Sequence, residues 1–227
     1  NIKLSDEEGG LQIWQIGRKH SHLFTDVAIK TYLKNGWITA SDLDKLYRED
    51  VAFAKYGVFL AIRHEKSSEI LATFRLTRKH DEIQFPFETF FGLSIKELCA
   101  NLELVPAEIW HGGRIVVNKE AFVNLGFKKN YSVNLIWTFF RTFYRIITRY
   151  ESNLFIGENQ IKAHRYYSML GFKMTALKEM EYFPGYRVCA SYVKTSDLVQ
   201  KFEGKILEME QEHQMTFAQG QRFEKIE

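Results

Sequence analysis

A candidate proton-transfer group lies inside a run of strand-forming residues. The run from Glu108 to Val117 predicts a β-strand, and it contains the pair Gly112-Gly113 directly after His111. Glycine within a strand marks a bulge or a close approach of another molecule to the backbone. Because imidazole titrates near neutral pH, His111 is the first candidate for a general base. The alternatives are that the glycines only form a bulge and that His111 is a hydrogen-bonded core residue.

Two arginines form the second candidate group. Arg75 and Arg114 both lie among apolar residues of predicted strands. A buried guanidinium requires a carboxylate partner, because an unpaired charge inside a protein is strongly unfavourable. Asp50 and Glu49 are the candidate partners for a structural ion pair. Alternatively, one arginine holds the carboxylate of a bound molecule in a two-point contact, and the two interpretations are compatible.

The composition excludes several classes of function. The 227 residues carry a net charge of +3, which is too small to indicate a nucleic-acid partner. Cys99 and Cys189 lie in apolar segments, so they indicate buried, reduced thiols and a cytoplasmic location. His20 and His22 are close in sequence, but no further ligands complete a metal site. The longest apolar stretch is interrupted by arginines, so no membrane span is predicted.

Helices and strands are expected to alternate along the chain. Helices are predicted at residues 19–34, 41–48, 132–150, 160–170 and 196–213, and strands at residues 58–63, 70–77, 108–117, 153–156 and 186–193. We expect the first helix to stop at Asn35-Gly36, Ser41 to cap the second, and the helix at 132–150, which is apolar almost all round, to be buried on most sides. The first two strands are expected to form a hairpin. This order predicts an α/β (α+β) protein with a mixed sheet and helices on both faces. We expect a single domain over residues 1–227. Its parts would be a core at about 11–195, a C-terminal amphipathic helix at 196–213 and a loose tail at 214–227.

Four stretches of the chain carry a resemblance to a known family. They are residues 33–37 (LKNGW), 70–76 (ILATFRL), 110–117 (WHGGRIVV) and 166–172 (YYSMLGF). In this order they resemble the autoinducer branch of the acetyltransferase-like (GNAT) superfamily, which holds the acyl-homoserine lactone synthases and the N-acyl amino acid synthases. The resemblance implies the GNAT-like acyl-CoA N-acyltransferase fold, in which a mixed central sheet is splayed between two strands. It also implies transfer of an acyl group from a thioester to an amine.

The resemblance gives the candidate residues their roles. The backbone at Gly112 and Gly113 would donate an N–H to the thioester carbonyl. His111 would remove the proton that an acceptor amine must lose before it attacks, with Glu108 and Asp50 as alternative bases. Neither cysteine is placed as an activated nucleophile, so the attack would be direct, without a covalent enzyme intermediate.

The chain departs from the lactone synthases at positions linked to the lactone chemistry. His111 stands where they carry glutamate, Val27 stands where they carry arginine, and only Asp50 of the acidic cluster aligns. We therefore expect the product to be a medium- or long-chain N-acyl amino acid, or another acylated small amine. The alternatives are an acetyl-CoA-dependent N-acetyltransferase and a non-catalytic acyl-binding domain of the same fold.

The loop before the long predicted helix bears on the acyl donor. Its candidate phosphate-binding residues are Gly126, Lys128, Lys129 and Ser132. The loop lacks the usual glycine spacing of the superfamily, which favours acyl-carrier protein (ACP) over free acetyl-CoA, and no permanently bound cofactor is expected. Besides the two lysines, the candidate docking residues for an acidic carrier are Arg141, Arg145 and Arg149. The alternative is that these arginines are the solvated face of a helix.

Aromatic side chains are the candidate contacts for the substrates. The candidates are Trp37, Trp110, Trp137, Phe140 and Tyr166. Each buried methylene contributes about 0.8 kcal/mol, so an aromatic-lined pocket would favour a long acyl chain. The alternative is that these rings belong to the core.

Overall fold

The computed structural model describes residues 1–7, 10–104, 109–127, 138–146, 153–169, 171–183 and 185–198. Their contacts divide them into two units. The first unit holds Asn1–Thr77 and Arg114–Thr142, and the second holds Arg78–Gly113 and residues 143–198. The single domain expected over residues 1–227 stays a prediction.

Eight strands lie in these described ranges. They are β1 (Ile2–Glu7), β2 (Leu11–Ile16), β3 (Gly57–His64), β4 (Ile70–Arg78), β5 (Ile109–Val117), β6 (Leu154–Gln160), β7 (Thr175–Phe183) and β8 (Tyr186–Lys194). The pairs β1–β2, β2–β3, β3–β4, β6–β8 and β7–β8 are antiparallel, whereas β5 and β6 are parallel. The predicted mixed sheet is therefore confirmed, as is the hairpin of β3 and β4.

The helices of the described ranges include predicted ones and three further short ones. They are α1 (Ser21–Lys34), α2 (Leu43–Phe53), α3 (Pro86–Thr89), α4 (Ile95–Asn101), α5 (Lys119–Asn124), α6 (residues 138–146) and α7 (Ile161–Met169). As predicted, α1 stops before a left-handed glycine, Gly36 with φ of +67°. Residues 195–198 are also helical. The rest of the helix predicted at 196–213, and the tail at 214–227, lie outside the described residues.

The start of α2 differs from the prediction that Ser41 caps it. Thr39 and Asp42 instead form a capping box around a short 3-10 turn that precedes the helix. The Asp42 carboxylate accepts a hydrogen bond from Thr39 N at 2.8 Å. This bond to the backbone, together with the Thr39 hydroxyl, lowers the pKa of Asp42.

Strands β3 and β4 form the centre of the first unit. Residues 58–62 and 71–77 are buried without alternation, which is typical of strands covered on both faces. Helix α1 packs on β3, where the ring centroids of Phe24 and Phe59 are 4.6 Å apart. In the second unit, Phe143 packs on Phe155 of β6, with 4.4 Å between the ring centroids.

Strands β1 and β7 were missed by the sequence patterns, as were β2 and the short helices α3 and α4. Strands β1 and β7 lie at the ends of the strand order. β7 carries the exposed residues Lys178, Glu179 and Glu181. Such charged residues lower strand propensity, and at an edge they prevent pairing with other chains. An edge strand therefore resembles a loop in sequence.

Candidate active site

The parallel ladder between β5 and β6 ends before either strand does. It comprises four residue pairs, from Ile109↔Leu154 to Gly112↔Gly157. Beyond the last pair, β6 continues to Gln160 in its ladder with β8, and β5 continues to Val117. Gly112 and Gly157 are buried, whereas the next residues, Gly113 and Glu158, are half-buried. Within the second unit, the ladder between β5 and β6 therefore ends at Gly112↔Gly157.

Strand β5 carries a bulge directly after the glycine pair. Arg114 has φ of +53°, in the left-handed region that non-glycine residues rarely adopt. Lys79 N donates to Ile109 O near one end of β5, and Asn118 N donates to Leu71 O near the other. A left-handed residue inside a strand is typical of a β-bulge. The predicted distortion is therefore centred on Arg114 rather than on the glycines themselves.

His111 lies one residue before the end of this ladder and forms a pair with Glu158. The distance from His111 Nε2 to Glu158 Oε2 is 2.7 Å. The imidazole is 1% exposed and the Glu158 side chain is 12% exposed. The ring of Phe85 stacks on the imidazole with 4.5 Å between centroids and 14° between planes. The site thus holds a titratable imidazole and a carboxylate in direct contact beside the end of the ladder.

Glu158 was not among the predicted site residues, although the sequence contains a signal for it. The predicted strand stopped at Ile156, whereas β6 runs to Gln160. The polar run Glu158-Asn159-Gln160 follows an apolar strand that lies parallel to β5. Side chains at the carboxyl ends of parallel strands are frequent sources of binding and catalytic groups.

Gly157 permits the closest approach of β6 to β5. A Cβ atom at this position would lie 3.2 Å from Gly112 O, a backbone atom that moves only with its strand. The two strands therefore meet through glycines at their last paired position.

Replacing Gly157 by alanine should lower the free energy of unfolding by about 1–3 kcal/mol, because the added methyl group forces the two strands apart. Urea unfolding measures this change. Gly17→Ala is the matched control: Gly17 has φ of −68°, and its Cβ would have Asn1 N as nearest atom at 3.5 Å, an ordinary contact. We expect Gly17→Ala to cause no loss in the free energy of unfolding. Equal losses for the two variants would contradict the close approach at Gly157.

The predicted ion pairs of the arginines are present in the first unit. Asp50 is fully buried and contacts both Arg75 Nη1 and Arg114 Nε, the latter at 3.3 Å. Glu49 Oε1 lies 3.3 Å from Arg75 Nη1 and 3.2 Å from Arg114 Nη2. Burial alone would lower the pKa of Arg114, but Asp50, Tyr32 and Glu49 together raise it above its usual range. The Arg114 guanidinium is therefore held in its charged state.

The contacts in this cluster affect two predicted roles, that of Asp50 as a base and that of Arg75 as a contact for a bound carboxylate. Asp50 Oδ1 contacts the two arginines and its Oδ2 accepts a hydrogen bond from Thr25 Oγ1 at 3.0 Å. A carboxylate with both oxygens occupied and no exposed surface is poorly placed to remove a proton from a substrate. Arg75 is 2% exposed, so the geometry favours its structural interpretation over contact with a bound acid.

The other predicted site residues lie in varied surroundings. Trp110 and Phe140 are buried, Trp37 is half-buried beside Tyr32, and Gly126 is an exposed left-handed residue. Tyr166 is half-buried, and burial raises its pKa. Six further predicted residues lie outside the described ranges: Glu108, Lys128, Lys129, Ser132, Trp137 and Arg149.

The prediction that Arg141 faces solvent or a docking partner is wrong. Its side chain is 2% exposed, and its Nη2 donates to Thr138 Oγ1 at 3.5 Å. Helix α6 is buried on most sides, as its apolar residues predicted, and this burial extends to the arginine position. Arg145 is half-buried. The four-residue spacing of the arginines therefore does not define an exposed face within α6.

Within the described ranges, His, Cys, Asp and Glu side chains form no cluster that could hold a metal ion. The helices of the same ranges are each too short or too polar to cross a membrane.

The fold is similar to several solved structures. FeeM, an N-acyl amino acid synthase from uncultured soil microbes, matches with a TM-score of 0.61 and 8% identity over 84% of this chain and 93% of its own. The AHL synthase LasI matches with a TM-score of 0.54 and 12% identity, over 85% of this chain and 94% of LasI. An acetyltransferase of the GNAT family from Staphylococcus aureus matches with a TM-score of 0.51 and 12% identity, over 82% and 99% of the two chains. No family model and no curated protein matches the sequence.

Proposed function

Because the chain has the GNAT fold of these structures, we propose that it is an N-acyltransferase. It would transfer a medium- or long-chain acyl group from an ACP or coenzyme A thioester to a small amine such as an amino acid. In this reaction the amine loses a proton and attacks the thioester carbonyl. A C–N bond forms, the C–S bond breaks, and the thiol leaves with a proton.

The observation that carries this proposal is the early end of the β5–β6 ladder at Gly112↔Gly157. Beyond this pair, the backbone groups of Gly113 on β5 and Glu158 on β6 do not enter that ladder. Backbone N–H groups released in this way can donate to the oxyanion that forms when an amine adds to a thioester carbonyl. The bulge at Arg114 supports the same role, since a bulge redirects backbone groups out of regular pairing.

The acceptor's recognition is constrained by the arginine cluster. Arg75 and Arg114 are each paired with Asp50 and Glu49. Arg75 is 2% exposed, so the carboxylate of an amino acid acceptor would not be held by that guanidinium. In the proposed reaction, the amine of the acceptor is the group that binds at the His111–Glu158 pair.

Incubation with a set of donors and acceptors tests the proposal. The donors are dodecanoyl-ACP, dodecanoyl-CoA and acetyl-CoA, and the acceptors are the twenty amino acids and simple alkylamines, with products read by mass spectrometry. We expect N-dodecanoyl products and little acetylation. Acetylated products alone would show an acetyltransferase instead. Tight binding of the dodecanoyl donors without any product would contradict the enzymatic function and indicate an acyl-binding domain.

A further inference from the structure

We propose that Glu158 is the general base that removes the proton from the acceptor amine, and that His111 is the residue that positions it. This inference rests on the proposed acyl transfer. It assigns the proton-transfer role to a side chain on β6, and it changes the role expected for His111 from catalytic to positioning.

Exposure distinguishes the two members of the pair. The imidazole of His111 is 1% exposed, and Phe85 covers one of its faces. The Glu158 side chain is 12% exposed. A group that exchanges a proton with a substrate must come within hydrogen-bond distance of it, and Glu158 has the larger exposed fraction of the two side chains. Its Oε1 atom is itself buried, so the acceptor amine has to reach that oxygen inside the site.

The position of Glu158 on its strand supports the same assignment. Glu158 is the first β6 residue after Gly157, at which the ladder with β5 ends. Its side chain therefore lies next to the backbone groups that would hold the thioester carbonyl. A base at this point can receive the proton of an amine that approaches that carbonyl.

The two carboxylate oxygens of Glu158 differ in their hydrogen bonds. Oε2 pairs with His111 Nε2 at 2.7 Å. In the neutral imidazole with its proton on Nε2, this nitrogen donates and fixes the carboxylate. Oε1 is buried and has no hydrogen-bond partner among the described residues. A buried carboxylate oxygen without a donor is unfavourable, and the ammonium group of an acceptor supplies such a donor.

The proton balance of the step is complete without another reactant. Glu158 Oε1 takes one proton from the ammonium group of the acceptor, and the free amine attacks the thioester carbonyl. The C–N bond forms as the C–S bond breaks, and the departing thiolate takes the second proton of the amine, which leaves a neutral amide and a thiol. Glu158 then releases the first proton to water and returns to its charged state.

Conservative substitutions at the two positions separate the roles. With the best donor and acceptor of the wild type, we expect Glu158→Gln to lower kcat about 100-fold or more with little change in KM, since glutamine keeps the shape but not the basicity. His111→Gln keeps an N–H near the place of Nε2, so it should stay closer to the wild-type rate than His111→Leu. The control is Glu179→Gln, an exposed carboxylate on β7 paired with Arg187, which should leave the rate unchanged.

A weakly basic acceptor gives a second readout that a structural role would not affect. Hydroxylamine is largely unprotonated at neutral pH and needs little help from a base. The ratio of the wild-type kcat to the kcat of Glu158→Gln should therefore be smaller by about tenfold or more with hydroxylamine as the probe acceptor. Equal deficits with both acceptors, full activity of Glu158→Gln, or equal damage from His111→Gln and His111→Leu would each overturn the proposal. An inactive wild type would instead reject the acyl-transfer function itself.

Discussion

Replacing Asp50 by alanine should lower the free energy of unfolding by about 3–5 kcal/mol, because it leaves a buried guanidinium without its partner. Asp50 is fully buried and Arg75 is 2% exposed, so water cannot take over the lost contact. Arg114 and Thr25 lose a hydrogen bond to the same carboxylate. Urea unfolding followed by circular dichroism measures the change.

Two further variants test whether the charge of Asp50 causes the loss in the free energy of unfolding. Asp50→Asn keeps the volume of the side chain but removes the charge, and we expect it to lose most of the same free energy. Glu120→Ala removes an exposed ion pair with Lys34, in which both side chains are more than half exposed, and its effect should be too small to resolve. A loss below about 1 kcal/mol for Asp50→Ala would contradict the proposed role of the buried pair.

The ion cluster also explains how β5 keeps an unusual backbone conformation. A left-handed residue other than glycine costs free energy, and it persists only where the surroundings hold it. The Arg114 side chain is held by Asp50 and Glu49, and its backbone carbonyl accepts a hydrogen bond from Thr73 Oγ1 at 3.2 Å. The arginines therefore support the bulge, which is one of the two features on which the proposed function depends.

The sequence predicts the central elements of the fold well because their signals are strong. The apolar runs of β3, β4 and β5 and the glycine stop of α1 have few alternative interpretations. The edge strand β7 lacks such a signal because exposed charged residues occupy it. Its place is set by pairing with β8, which spans Thr175↔Tyr192 to Phe183↔Tyr186 and has no trace in the local sequence.

The candidate site shows a similar limit. His111, the glycine pair and the partners of the arginines follow from residue types on predictable strands. Glu158 does not, because its contact with His111 spans 47 positions and depends on the parallel register of β5 and β6. Arg141 shows the converse: regular spacing suggests an exposed stripe, while the packing around α6 buries it.

Trp110 provides the second large expected effect, and it decides between a core and an acyl-pocket role. Trp110→Ala should lower the free energy of unfolding by about 3–5 kcal/mol, because truncation of a fully buried ring leaves a cavity. Trp110 lies on β5 opposite Phe155 of β6, which is also buried. Trp110→Phe keeps a ring in place and should lose clearly less. Urea unfolding of both variants gives the comparison.

The matched control is Trp14→Ala on β2, where the indole is half-buried and its Nε1 donates to Gln12 Oε1 at 3.1 Å. Folding buries less apolar surface of the Trp14 ring than of the Trp110 ring. Removal of Trp14 should therefore destabilise the protein less than removal of Trp110. If Trp110 belongs to the core, the preference of the Trp110→Phe variant among acyl-chain lengths should match that of the wild type. A small loss of stability together with a shift toward longer acyl chains would instead place Trp110 in the wall of the acyl pocket.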